Sequence, residues 1–182
     1  MNFLPTGLPG VVLIEPKVFG DARGFFMETF RHSAFLEAGI DVQFVQDNHS
    51  ASARGVLRGL HYQLAKPQGK LVRVTQGSAF DVAVDMRRSS PAFGKHVGVE
   101  LSADNKRMLW VPPGFAHGFL ALSEHVEFQY KCTDYYDPVS ERSVLWNDPA
   151  LGIQWPLAPG ESPRLSAKDA AGTTLAAAEC YR

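Results

Sequence analysis

Six histidines lie at positions 32, 49, 61, 96, 117 and 125. Two of them sit in β-type runs beside glycine: His61 in Arg58-Gly59-Leu60-His61-Tyr62-Gln63, and His117 in Pro112-Pro113-Gly114-Phe115-Ala116-His117-Gly118-Phe119. A histidine on the inward face of a strand is either a hydrogen-bonded core residue or a working group, since imidazole titrates near neutrality. Basic residues flank these runs. Arg23 occupies the turn Gly20-Asp21-Ala22-Arg23-Gly24, Arg58 stands three before His61, and Lys70 opens a run after Lys66-Pro67-Gln68-Gly69. Arginine grips phosphate in a fork that lysine cannot copy; the alternative is a scatter of solvated surface charges. Arg58 and His61 are three apart, so a regular strand puts them on opposite faces. They share a pocket only where Gly59 bends the strand or a bulge intervenes. Tyr130 shares a strand face with Phe128 and Cys132, which suits a buried tyrosine. Tyr135 and Tyr136 end that run before Pro138, where a ring can stack on a base or cap a barrel mouth. Asp169 closes Ser166-Ala167-Lys168-Asp169, the Ser-x-x-Asp pattern of a helix capping box.

The Pro-x-Gly-x-x-His segment ending at His117 resembles the second motif of the cupin superfamily, whose jelly-roll barrels often hold a metal. The first cupin motif then supplies a His-x-His pair and a Glu, but the matching stretch here offers His61 followed by Gln63. Two histidines do not close a three-ligand catalytic site, so no metal is expected.

These groups need a scaffold, and the pattern predicts a β one. Short runs at Val11–Ile14, Phe25–Phe30, Val56–Gln63, Lys70–Gln76, Phe80–Met86, His96–Ser102, Met108–Val111, His117–Leu122 and Val126–Thr133 are closed by turn residues, and Gly and Pro number 16 and 12. Phe80, Val82 and Val84 alternate with Asp81, Ala83 and Asp85. Repeated short strands at this spacing predict an all-β sandwich or barrel rather than β-α-β units. Ser33–Ala38, stopped by Gly39, reads as a short helix, and the alanine-rich tail Ala167–Glu179 as a second one weakened by Gly172, Thr173 and Thr174. No repeat or linker divides residues 1–182, which is the size of one domain.

Composition excludes several classes. Hydrophobic residues make up 45%, enough for a real core. The formal charge of −1 argues against a nucleic-acid partner. Two cysteines without C-x-x-C spacing are neither a disulfide framework nor a zinc ribbon. No apolar run approaches the ~20 residues that span a bilayer, and the N-terminus lacks the basic and apolar regions of a signal peptide. A soluble, reducing, cytoplasmic setting without membrane contact is the expectation.

Seven segments, taken in order, resemble the dTDP-4-dehydrorhamnose 3,5-epimerase family of cupin-type enzymes from about Pro5 to about Leu175. They are Arg23–Glu28, Gln46–Ser50, Gly55–Gln63, Gln68–Val74, Pro112–Phe119, Tyr130–Tyr136 and Leu165–Asp169. The resemblance implies a cupin-like jelly roll acting on a dTDP-4-keto-6-deoxy sugar, whose ketone acidifies the C3 and C5 hydrogens. It gives His61 the role of base, Asp169 that of its orienting partner, Tyr130 that of the opposite-face acid and Lys70 that of enolate stabiliser. No cofactor is implied, because the ketone is the electron sink. Substrate contacts carry over to Arg23, Glu28, Gln46, Asp47, Asn48, Arg58, Lys70, His117, Glu141 and Lys168, with Tyr136 stacking on thymine. The parity argument ranks the phosphate role of Arg23 above that of Arg58. Asp81 is a second candidate for orienting Lys70 or Tyr130. The family also implies a homodimer in which the strand near Val11–Phe19 extends a neighbour's sheet. A metal-dependent cupin built on His61 and His117, and a sugar-nucleotide-binding cupin without catalysis, are the alternative readings.

Overall fold

The computed structural model describes residues 1–182. Its elements in chain order are β1 (Asn2–Pro5), β2 (Val12–Glu15), β3 (Val18–Asp21), β4 (Gly24–Met27), α1 (His32–Glu37), β5 (Gln46–Ala53), β6 (Leu57–Gln63) and β7 (Lys70–Gln76). There follow β8 (Ser78–Asp85), β9 (His96–Ser102), β10 (Met108–Val111), β11 (Phe115–Ala121), β12 (His125–Cys132), β13 (Glu141–Ser143) and α2 (Ala167–Ala170). Two antiparallel sheets form a jelly-roll sandwich, one ordered β1-β2-β10-β7-β12-β5 and the other β13-β6-β11-β8-β9. β3 and β4 pair only with each other, as a separate hairpin.

Alternation along β8 shows why both faces of the second sheet are apolar. Ala79 and Ala83 join Val72, Leu109, Phe119 and Phe128 between the sheets. Val82 and Val84 face the other way, against Leu60, Tyr62 and Met86, and there the C-terminal segment contributes Leu151 and Ala178. Phe119 and Phe128 stack across the sandwich with centroids 4.1 Å apart and planes 5° from parallel, tying β11 to β12. On the outer face of the six-stranded sheet, Phe35 of α1 packs among Ile14, Leu71, Met108 and Trp110. The α1 helix ends as expected at Gly39, whose φ of +80° suits a residue without a Cβ.

Four strands escape the periodicity. β1, β3 and β13 are short, and β5 reads Gln-Asp-Asn-His-Ser-Ala-Ser-Ala, with no apolar face to find. β5 is an edge strand whose inward face borders a polar cavity, so burial imposes no hydrophobic alternation. The expected tail helix is corrected: only Ala167–Ala170 is helical. Thr173 leaves the helix to bridge the chain beside β13, donating to Ser143 at 3.0 Å and accepting from Leu145 at 2.8 Å. A Cβ at Gly172 would lie 2.9 Å from the Leu145 backbone, so this crossing needs glycine. No helix is long and apolar enough to cross a membrane.

Candidate active site

Between the sheets opens a cavity of about 340 Å³ lined by Ser50, Arg58, His61, Lys70, His117, Tyr130, Tyr136, Glu141, Lys168 and Asp169, with Gly118, Phe119, Phe128 and Ser166. β6 brings Arg58 and His61 to this space together through a bulge. His61 pairs with His117 and Arg58 with Phe119, so three steps on β6 match two on β11. The extra residue reverses the parity that separates the two side chains on a regular strand. Gly59 has a φ of +128°, and a Cβ there would lie 2.5 Å from the Cα of Gly118. The two glycines let the strands close around the bulge.

His61 donates through Nε2 to Oδ1 of Asp169 at 2.6 Å. That bond fixes the tautomer and leaves Nδ1 as the free basic nitrogen. Burial works to raise the Asp169 pKa, but hydrogen bonds from His61, Ser166 and the Gly59 N–H outweigh it and hold the carboxyl at about 2. The capping role is also present, since Ser166 Oγ accepts from the Asp169 N–H at 3.1 Å and donates to its Oδ2 at 2.6 Å. Asp169 is thus held from both ends, as helix cap and as histidine partner. Asp81 makes no hydrogen bond to Lys70 or Tyr130, although its charge favours the Lys70 ammonium. Phe119, not a charged residue, pairs with Asp81 in the β11–β8 register, and the carboxylate receives His117 Nε2 at 2.9 and 3.0 Å. Both histidines thus commit Nε2 to a carboxylate, and no group of three or more His, Cys, Asp or Glu side chains converges as a metal site. The residues present do not fit a cupin metal.

Lys70 and Tyr130 come from the opposite sheet, on β7 and β12. The Lys70 Nζ lies 6.0 Å from the centroid of the Tyr130 ring. Burial pushes the Lys70 pKa down and that of Tyr130 up, so the phenol stays protonated, a donor rather than a base. At the mouth, Tyr136 donates to Glu141 at 2.7 Å and Lys168 pairs with Glu141 at 2.5 Å. Burial alone would raise the Glu141 carboxyl, but Lys168 and Tyr136 bring it below its ordinary value. Arg58 is braced on β5, with Nε on Ser52 Oγ at 3.0 Å and Nη2 on the Ala51 carbonyl at 3.1 Å, leaving Nη1 for a ligand.

The remaining expected contacts are not all brought together. Gln46 and Asn48 face inward on β5, joined at 3.1 Å, with Gln46 also accepting from the Tyr136 N–H at 2.9 Å. Asp47 points to the opposite face and pairs with Lys131 at 2.9 Å, as strand alternation requires. Arg23 and Glu28 do not line this cavity. Arg23 folds onto Asp21 within the hairpin turn at 2.5 Å, and Glu28 lies 3.4 Å from Arg31. The ranking of Arg23 over Arg58 is therefore reversed within one chain. Ser166, read in the sequence only as the start of a capping box, and Ser50, given no role there, also line the cavity. Ser50 Oγ is the one buried side-chain polar atom without a partner. Its signal was the i, i+2 spacing from Asn48, visible only once residues 46–53 are known to be a strand.

Comparison with known proteins adds the chemistry. A sequence model described as dTDP-4-dehydrorhamnose 3,5-epimerase matches residues 5–177. The protein of that name from Pseudomonas aeruginosa is 60% identical over 182 residues, covering 100% of this chain and 99% of its own. A dTDP-6-deoxy-D-glucose-3,5-epimerase from Legionella pneumophila, solved with dTDP-4-keto-L-rhamnose, superposes with a TM-score of 0.94 at 54% identity, covering 98% of this chain and 94% of that one. A 3′-monoepimerase from Streptomyces bikiniensis, solved with dTDP-quinovose, is more distant at 37% identity, with a TM-score of 0.88 over 94% of this chain and 87% of that one. With likeness at this level along nearly its whole length, the chain belongs to the dTDP-4-dehydrorhamnose 3,5-epimerase family, cupin-fold isomerases of the dTDP-rhamnose pathway.

Proposed function

We propose that this enzyme inverts C3 and C5 of dTDP-4-dehydro-6-deoxy-D-glucose to give dTDP-4-dehydro-L-rhamnose for dTDP-L-rhamnose biosynthesis. One observation carries the reading: His61 and Tyr130 enter a single cavity from opposite sheets, with Lys70 beside Tyr130. Inversion needs a base on one face of the sugar and an acid on the other. His61 Nδ1 takes the C3 proton, and the C–H electron pair moves onto the C4 oxygen as an enolate. The Lys70 ammonium holds that oxygen. As the ketone re-forms, the Tyr130 hydroxyl delivers a proton to the opposite face, and water reprotonates the tyrosinate and relieves His61. The same cycle follows at C5. Asp169 stabilises the imidazolium once the proton is taken. A positioned base contributes about 10²–10⁴-fold and an oxyanion donor about 10²–10³-fold, so His61 and Lys70 carry comparable shares.

Arg58 and Lys168 supply charge for the diphosphate, His117 and the unpartnered Ser50 hydroxyl meet sugar oxygens, and Tyr136 stacks on thymine. Arg23 and Glu28 sit on or beside a hairpin whose Phe19, Phe25 and Phe26 are 53%, 60% and 69% exposed. An aromatic surface of that kind suits burial against a second copy, and in a homodimer the hairpin can bring Arg23 and Glu28 to the partner's cavity. Two unpaired cysteines, Cys132 and Cys180, fit a reducing, cytoplasmic setting. The identity to 3,5-epimerases exceeds that to the monoepimerase and favours double inversion. Proton NMR of the product formed by chelator-treated protein tests this: coupling constants of the doubly inverted sugar are expected. A product inverted at one centre would contradict double inversion, and no product would contradict the reaction.

A further inference from the structure

The turn Asp134–Asp137 carries Tyr136 yet makes no backbone–backbone hydrogen bond. Three glutamine side chains from separate parts of the fold bind its backbone instead. Gln68 Nε2 donates to the Asp134 carbonyl at 2.8 Å, and Gln63 Nε2 to the Tyr135 carbonyl at 3.2 Å. Gln46 Oε1 accepts from the Tyr136 N–H at 2.9 Å, and Gln63 Oε1 from the Asp137 N–H at 3.0 Å. Each of the four residues is therefore held once, by strands of both sheets and by the loop before β7. Gln63 is the centre of the arrangement. It is 3% exposed, and its second Nε2 proton goes to the Lys66 carbonyl at 2.9 Å. Rotating the amide by half a turn would set its NH₂ against the Asp137 N–H, so the partners fix one orientation. This is the position where the cupin pattern places a second histidine.

We propose that Gln63, assisted by Gln68 and Gln46, is a positioning residue that sets Tyr136 over the cavity mouth and so tunes affinity for the nucleotide half of the substrate. The proposal rests on Tyr136 as the ring that stacks on the base. The side chain of Tyr136 is half exposed and is tethered only through its hydroxyl to Glu141. Its placement thus depends on the backbone beneath it. A buried amide network of this kind is satisfied only in one arrangement of the turn. Loosening it lowers the fraction of molecules ready to bind, and the apparent dissociation constant rises by the inverse of that fraction.

Gln63→Met keeps the side-chain length and removes both donor and acceptor. Amide exchange across residues 134–138, read by mass spectrometry, is expected to speed up by at least about tenfold for the loss of the two hydrogen bonds between Gln63 and the turn. The Kd for dTDP by calorimetry and the KM for the nucleotide sugar should rise together, about 3- to 30-fold, with kcat within about twofold of the parent. Gln63→Glu offers a signature that packing alone cannot give. Its carboxylate faces two carbonyls at neutral pH, whereas the protonated acid can donate to one of them, so dTDP affinity relative to the parent should recover as pH falls. Gln68→Met, at the periphery, should act in the same direction but more weakly, and it carries the test if Gln63→Met does not fold. Unchanged exchange across 134–138, or a fall in kcat with KM unmoved, overturns the proposal. Should the parent protein fail to bind dTDP, the nucleotide reading falls, while the exchange measurement still decides whether the glutamines hold the turn.

Discussion

The carboxylate of Asp169 lies 2.6 Å from Nε2 of His61, although 108 residues separate them in the chain. One short helix and one bulged strand meet at this contact. Asp169 is placed by its own helix cap, and His61 by the extra residue in β6. The proposed proton acceptor thus inherits its tautomer from a residue whose local sequence signals only a helix start.

Because the folded pKa of Asp169 is depressed to about 2 from its ordinary 3.8, the carboxylate contributes stability that is present above about pH 4. That contribution, on the order of 2 kcal/mol, is lost as pH falls from 4 toward 2. Asp169→Asn should flatten this acid limb in denaturant midpoints measured against pH. It should also lower kcat at neutral pH by about 10-fold or more, because the amide no longer stabilises the imidazolium.

Lys70 is held in the cavity wall without any carboxylate within salt-bridge distance, and burial disfavours its charge. Lys70→Met should therefore cost no stability, and the thermal midpoint should hold or rise. Turnover should fall about 10²–10³-fold with loss of the enolate donor. A large drop in the thermal midpoint would place Lys70 in the scaffold instead.

Gly59→Ala should separate β6 from β11. The added Cβ meets Gly118 Cα at 2.5 Å and the His117 carbonyl at 2.9 Å, both backbone atoms that cannot swing away. The φ of +128° adds strain of about 1–3 kcal/mol. Chemical denaturation should show at least that loss, with activity falling further because His61 and Arg58 move with the strand.

As a test of the proposed homodimer, Phe26→Asp puts a charge on the hairpin's exposed aromatic surface. Sedimentation should show the parent protein as a dimer and the variant shifted toward monomer, with KM raised as Arg23 and Glu28 leave the partner's cavity. A monomeric parent with full activity would contradict the shared site.

The strands packed on the core were legible because burial writes itself as alternation: β7, β9 and β10 fall on the expected residues, and Val82 and Val84 oppose Ala83 as read. The strand that borders the cavity was not, since β5 faces a polar cavity instead of the apolar core and carries Gln46, Asn48 and Ser50 on its inner face. The pairing of Arg58 with His61 was hidden because a bulge belongs to two strands, and β11 supplies half of the information. Arg23 and Asp47 stand away from the cavity of their own chain for related reasons. A motif match names residues, but strand parity sends Asp47 outward and the free hairpin carries Arg23 away from its own cavity. The glutamine clamp left no periodic trace, because its three members converge only through the tertiary fold.

The most direct measurement is proton NMR of dTDP-4-keto-6-deoxy-D-glucose in D₂O with the parent protein, His61→Asn and Tyr130→Phe. The parent should place deuterium at both C3 and C5 with inversion. His61→Asn should exchange neither, and Tyr130→Phe should exchange without correct inversion, since the base remains and the opposite-face acid is gone. Exchange surviving in His61→Asn, or equal loss of exchange and inversion in Tyr130→Phe, would contradict proton transfer between these two residues across the cavity.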